Sequence, residues 1–150
     1  MEKHYYAYDT FLEDLKTLTH KINWEFDTIL GVARGGITLA HFLGEYYNLR
    51  EVYTLNTIGY EQTDKLQSVM VFNIPDITKA KNVLIVEDII DSGDTMVEVL
   101  RVLKGKYPQI NFKTASLFYK KSARIIPDWA AQEADKWIEF FWTFDIKRDN

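Results

Sequence analysis

The sequence predicts an α/β domain in which a mostly parallel central sheet is flanked by helices. Three observations carry this expectation. Strand-like apolar runs alternate with helical periodicities along most of the chain. The strongest run, Asn82-Val83-Leu84-Ile85-Val86, is apolar without alternation, as strands covered on both faces are. The order strand, turn, helix, strand recurs, which implies parallel crossovers with helices on both faces of a sheet.

The elements follow in chain order. Asp9 to Ile22 places Phe11, Leu12, Leu15, Leu18 and Ile22 at helical spacing, with Asp9 as a suitable N-cap. Thr28 to Val32 reads as a buried strand running into Ala33-Arg34-Gly35-Gly36, where two adjacent glycines permit a tight turn with exposed backbone. Ile37 to Tyr47 reads as a helix. Glu51 to Thr57 and Gln67 to Phe72 are β-rich, and the polar, aperiodic interval Ile58 to Lys65 between them reads as a mobile loop. After the central strand, a helix over Thr95 to Lys104 sets Met96, Val99, Leu100 and Leu103 on one face and ends near Gly105, ahead of Pro108. Ile110 to Phe118 is a further strand. From Lys120 to Asp145 the chain holds Trp129, Trp137 and Trp142 and reads as a small aromatic appendage.

Composition bounds the function. A chain of 150 residues, 47% hydrophobic and 15% aromatic, predicts one domain over 1–150, with a core of about 9–118 and the appendage at about 119–145. The net charge of −4, from 18 basic against 22 acidic residues, argues against a nucleic-acid partner. The absence of cysteine removes disulfides, thiolate zinc sites and cysteine nucleophiles, and fits a reducing cytoplasm. MEKHYYAYDTFLEDL carries charges where a signal peptide needs its apolar segment, and no stretch has the length of a membrane span. His4, His20 and His41 lack metal-ligand spacing.

The segment Val86-Glu87-Asp88-Ile89-Ile90-Asp91-Ser92-Gly93-Asp94-Thr95-Met96 carries the chemistry. It follows the most apolar strand and opens a helix, the place where an open parallel sheet holds its ligands. A helix start offers unpaired N–H groups and a positive dipole end, so Ser92, Gly93 and Thr95 suit a phosphate. Glu87 and Asp88 suit sugar hydroxyls or a hard cation such as magnesium. Singly, Asp91 or Ser92 is explained as a helix cap. As a cluster behind a buried strand, these residues exceed what capping requires. No GxxxxGK[ST] loop is present.

The stretch VLIVEDIIDSGDTM resembles the signature by which type I phosphoribosyltransferases bind 5-phosphoribosyl 1-diphosphate (PRPP), and its EDIID opening is most similar to the purine-salvage members. The resemblance implies that family's fold, with a small C-terminal aromatic hood over the base and a flexible loop. It also implies that Glu87, Asp88, Ile89, Ile90, Asp91, Ser92, Gly93, Asp94 and Thr95 bind PRPP, and that Asp88 is the direct or water-mediated partner of Mg2+. Asp94 departs from the glycine or lysine often found there. Its carboxylate would repel a phosphate, so its side chain is expected to point to solvent while its N–H joins the cradle.

Gly31-Val32-Ala33-Arg34-Gly35-Gly36 resembles the family's pyrophosphate loop. Arg34 and Gly35 are thereby implied as PRPP ligands, a charged fork beside bare backbone. The resemblance also implies a cis bond between Ala33 and Arg34, and it places a basic residue of the flexible loop, Lys65, on the diphosphate. Phe118-Tyr119-Lys120 and Trp137-Ile138-Glu139-Phe140-Phe141-Trp142 resemble the purine pocket of the bacterial xanthine-guanine branch. There Lys120 would donate to the exocyclic oxygen of a 6-oxopurine, Trp137 would stack on the base, and the Ile138 carbonyl would meet its two-position.

The implied reaction moves the phosphoribosyl group from PRPP to guanine, xanthine or hypoxanthine, with Asp91 accepting the purine proton and also touching the base. The family also forms dimers or tetramers, so a homo-oligomer is expected. A PRPP- or nucleotide-sensing regulator of the same fold, with weak or no catalysis, is the alternative.

Overall fold

The computed structural model describes residues 2–61 and 67–147. Its elements are β1 (Lys3–Tyr6), α1 (Tyr8–Lys21), β2 (Thr28–Ala33), α2 (Gly35–Tyr47), β3 (Val52–Glu61), β4 (Gln67–Phe72), β5 (Asn82–Ile90), α3 (Asp94–Lys106), β6 (Asn111–Tyr119), β7 (Trp129–Glu133), β8 (Trp137–Phe140) and α4 (Phe141–Phe144).

Six strands form one sheet in the order β4-β3-β2-β5-β6-β7. All neighbours run parallel except β3 and β4, which are antiparallel. From β2 the chain crosses over to β3 on one side, and from β5 to β6 on the other. The carboxyl ends of β2 and β5 therefore form the switch point where such sheets open a crevice.

Burial explains why the central strands are uniformly apolar. Leu84 and Val86 of β5 pack with Leu39, Ala40 and Leu43 of α2 and with Phe11, Leu15 and Leu18 of α1. Val83 and Ile85 face the other way, onto Met96, Val99, Leu100 and Leu103 of α3. Each fully buried Leu, Ile or Val contributes about 1.5–3 kcal/mol relative to exposure. Gly36 lets α2 reach the sheet, because a Cβ there would collide with the carbonyl oxygen of Val86.

Several boundaries differ from the sequence expectation. Helix α1 starts at Tyr8 with Ala7 at the N-cap and no side-chain cap, so Asp9 lies within the first turn. There its charge complements the dipole without accepting a capping bond. Helix α2 starts at Gly35 and α3 at Asp94, and α3 runs through Gly105 to Lys106. The interval expected as a loop is a strand as far as Glu61, because β3 pairs with β4 from Asn56↔Phe72 to Glu61↔Gln67. Residues 62–66, with Lys65, lie outside the described residues.

The largest change concerns β5. Glu87 and Asp88 do not leave the strand; it continues to Ile90, paired with β6 as far as Ile90↔Tyr119. The aromatic appendage is also redistributed. Trp129 belongs to β7 at the edge of the main sheet, and Trp137 to β8, which pairs in parallel with the unforeseen strand β1. Tyr6 anchors that second sheet: it is fully buried and its hydroxyl donates to Asp14 Oδ2 at 2.6 Å, which also accepts from Gln132 Nε2 at 2.6 Å.

Candidate active site at the carboxyl ends of the central strands

Strand β5 delivers its acidic pair to the crevice. Glu87 and Asp88 are half-buried. Glu87 accepts the Asp88 N–H at 3.0 Å, and Asp88 accepts the Ile89 N–H at 2.7 Å. Desolvation raises the pKa of Glu87 well above the usual carboxylate range, and the neighbouring Asp88 charge adds to it. Desolvation also raises that of Asp88, against hydrogen bonds from Glu87 and the Ile89 N–H. Burial first, and the Asp88 charge second, thus disfavour the charged form of Glu87 in the free pair.

The loop after β2 comes to the same place. A Cβ on Gly35 would overlap the Asp88 carboxylate, so the missing side chain is what lets this turn lie against the acid. The Ala33–Arg34 bond is cis. Arg34 sits at the N-cap of α2 and is exposed to solvent.

Beyond Ile90 the chain turns sharply into α3. Gly93 has φ 87°, a left-handed conformation that costs other residues about 1–2 kcal/mol. A Cβ there would lie 3.0 Å from the amide nitrogens of Arg124 and Ile125. Glu87, Ile89, Asp91, Ser92, Gly93 and Thr95 line a cavity of about 100 Å³. Among the described residues, the N–H groups of Gly93, Thr95 and Met96 donate to no protein acceptor, whereas that of Asp94 donates to Ser92 Oγ at 3.2 Å. The cradle thus retains free donors, with the Asp94 amide held by its own loop. The Asp94 side chain is turned off the cavity, but onto Arg124 and not into open solvent as the sequence suggested: Arg124 Nη1 donates to Asp94 Oδ1 at 2.8 Å.

A second, larger cavity of about 390 Å³ adjoins the first, and Ile89 and Asp91 line both. Lys120, Trp137 and Ile138 line it, with Phe140, Phe144, Lys136 and Glu139. Trp137 is 55% exposed, a free aromatic face, whereas the Ile138 side chain is buried. Lys120 Nζ forms an ion pair with Asp91 Oδ1 at 2.8 Å. Asp91 is thus already partnered in the free protein, which its sequence position did not reveal. Trp142 does not reach the cavity lining; it stacks on Phe140 at 4.6 Å.

The geometry brings Glu87, Asp91, Ser92, Gly93, Thr95, Lys120 and Trp137 around two adjoining cavities, with Gly35 against Asp88 beside them, whereas Arg34 lines neither cavity. Sequence reasoning missed Arg124, Phe140, Phe144, Lys136 and Glu139. Only the spacing of Lys120 and Arg124 around one turn could have flagged Arg124. The hood residues needed the β1–β8 pairing to be placed.

Fold and site define a mostly parallel-sheet α/β protein with two adjoining cavities at its switch point, one at the start of α3 and one lined by aromatic side chains. The chain belongs to the phosphoribosyl transferase domain family, which matches residues 5–149. Its structure is similar to that of Helicobacter pylori xanthine-guanine-hypoxanthine phosphoribosyltransferase, with a TM-score of 0.88 and 40% identity over 97% of this chain and 96% of that one. A curated relative, the xanthine-guanine phosphoribosyltransferase of Idiomarina loihiensis, is 28% identical over 127 residues, 81% of this chain and 74% of the relative. A Neisseria gonorrhoeae hypothetical protein solved with bound ppGpp has a TM-score of 0.81 at 25% identity, covering 94% of this chain and 89% of that one. Among the described residues no helix is long and apolar enough to cross a membrane.

Proposed function

We propose that this protein is a purine phosphoribosyltransferase of nucleotide salvage, transferring the phosphoribosyl group of PRPP to guanine, xanthine or hypoxanthine. One observation carries the reading: Asp91 stands on the wall common to the small cavity at the phosphate-type loop and the larger aromatic cavity. In this reading the 5-phosphate meets the free N–H groups of Gly93 and Thr95 and the hydroxyls of Ser92 and Thr95, at the α3 N-terminus. Ile89 and Ile90 form the floor between sugar and base. Arg34 and Gly35 face the diphosphate, with Lys65 assigned to it from sequence alone. The base enters the larger cavity between Trp137 and Lys120, whose ammonium donates to the 6-oxo group and has no acceptor for an amino group, which disfavours adenine.

The carbon–oxygen bond to diphosphate breaks with its electron pair on the leaving group, the bond from the sugar carbon to the purine nitrogen forms, and the purine proton passes to Asp91. That proton transfer is worth roughly 10²–10⁴-fold. Arg34 and the backbone of the glycine turn stabilise the departing charge.

The donor set fits Mg2+. Glu87 and Asp88 are hard oxygen donors whose charged forms are disfavoured by burial, a cost that a bound cation would offset. Asp88, and Glu87 beside it, would hold the ion, which when bound supplies charge neutralisation to the hydroxyls and diphosphate.

The ppGpp seen in the N. gonorrhoeae structure keeps the nucleotide-sensing alternative in play, since a guanine nucleotide presents a base and phosphates to the same two cavities. Purified protein assayed with PRPP, Mg2+ and each of guanine, xanthine, hypoxanthine, adenine, orotate and uracil decides. Turnover confined to 6-oxopurines supports the enzyme; nucleotide binding without turnover supports the sensor. A homo-oligomer in the cytoplasm belongs to the same proposal, and light scattering tests the assembly.

A further inference from the structure

The phosphate-type loop carries a charge that opposes its own task. Asp94 lies between Gly93 and Thr95, which both line the small cavity, and it is the first residue of α3. An anion at that position uses the same positive helix end that a phosphate needs, and it repels a phosphate besides. The chain following β6 answers this. The backbone N–H groups of Lys120 and Arg124 donate to the carbonyls of Ile90 and Ser92 at 2.9 and 2.7 Å, and the Arg124 guanidinium closes on Asp94 Oδ1 at 2.8 Å. This strap therefore touches the loop at both ends, Lys120 on Asp91 and Arg124 on Asp94.

Resting on the phosphoribosyl transfer proposed above, we infer that Arg124 is a positioning residue for the 5-phosphate of PRPP: it neutralises Asp94 and holds that carboxylate off the cavity. Arg124 acts through Asp94 and not on the reacting atoms. The Arg124 side chain is 62% and that of Asp94 32% exposed, so the pair contributes little to stability and its loss leaves the loop folded. Truncation at Cβ also preserves the bond from the Arg124 amide to Ser92, which separates the charge from the backbone brace.

Three variants test this, one of them double. Arg124→Ala should raise the KM for PRPP about tenfold while changing kcat less than threefold, with an unchanged melting temperature. Arg124→Lys should recover part of the loss. In Arg124→Ala/Asp94→Asn, KM should return to within about twofold of the starting protein, because the repelling charge is gone. An unchanged KM in Arg124→Ala overturns the inference, and so does a failure of Asp94→Asn to rescue, which would make Arg124 a direct phosphate ligand or a plain brace. Calorimetric binding of ribose 5-phosphate to the same four proteins reads the effect without turnover. A starting protein that binds ribose 5-phosphate yet transfers nothing to any purine would defeat the functional reading and leave this one standing.

Discussion

Asp91 and Lys120 form an ion pair, Oδ1 to Nζ at 2.8 Å, across the mouth of the larger cavity. The carboxylate assigned to take the purine proton is therefore held by the cation assigned to recognise the purine oxygen. Binding of a base must share or part them. Asp91→Asn should lower kcat by about 10²–10⁴-fold with a much smaller change in the KM for PRPP. Lys120→Ala should instead raise the KM for the purine. Steady-state kinetics with both substrates varied separates the two, and a near-normal kcat in Asp91→Asn rejects the general-base assignment.

The raised pKa of Glu87 predicts a pH dependence of the metal-free protein. Its folded pKa lies above its unfolded one, so the folded state binds more protons between those values. The associated stability is fully present below the unfolded pKa and is lost as pH rises through the folded one. Glu87→Gln, which cannot ionise, should flatten this loss and raise the neutral-pH melting temperature of the free protein. Thermal melts across pH in the presence of a chelator check it; equal slopes for the two proteins would contradict it.

Gly36→Ala should destabilise by about 1–3 kcal/mol, since the new methyl meets the Val86 carbonyl oxygen and backbone must move. Gly35→Ala pushes on the Asp88 carboxylate, so its larger effect should fall on PRPP and Mg2+ affinity. Urea unfolding beside calorimetric binding resolves the two effects.

Asp14 joins three elements by accepting from Tyr6 and Gln132 at 2.6 Å each. Asp14→Ala leaves a buried phenol and an amide without that acceptor and should cost about 2–3 kcal/mol in urea unfolding. Strand β1 pairs with the strand that bears Trp137, so the KM for the purine should rise as well, with little change for PRPP.

The architecture was legible where burial is symmetric. Thr28 to Val32 and Asn82 to Val86 read as strands because both faces are covered, and the α1, α2 and α3 stripes read as helices because one face is. The reading failed where tertiary contact overrode local pattern. Glu87 and Asp88 looked like a turn, yet pairing with β6 carries the strand four residues past Val86. Lys3–Tyr6 is too short and polar to announce itself, and exists as a strand through its partner β8. At the site, residue types in 87–95 pointed to a phosphate-type loop, and the structure places Glu87, Asp91, Ser92, Gly93 and Thr95 around one cavity. Its partners, Lys120 on Asp91 and Arg124 on Asp94, come from about 30 residues away and are visible only once β6 lies beside β5.

The four tryptophans are unequally placed. Trp24 stacks on Trp129, and Trp142 stacks on Phe140, while Trp137 is 55% exposed on the wall of the larger cavity. Replacing the other three indoles with phenylalanine would leave a single indole on the wall of the cavity proposed to take the base. Its fluorescence would then serve as an optical gauge of occupancy, readable with inert purine analogues and blind to every later event on the enzyme.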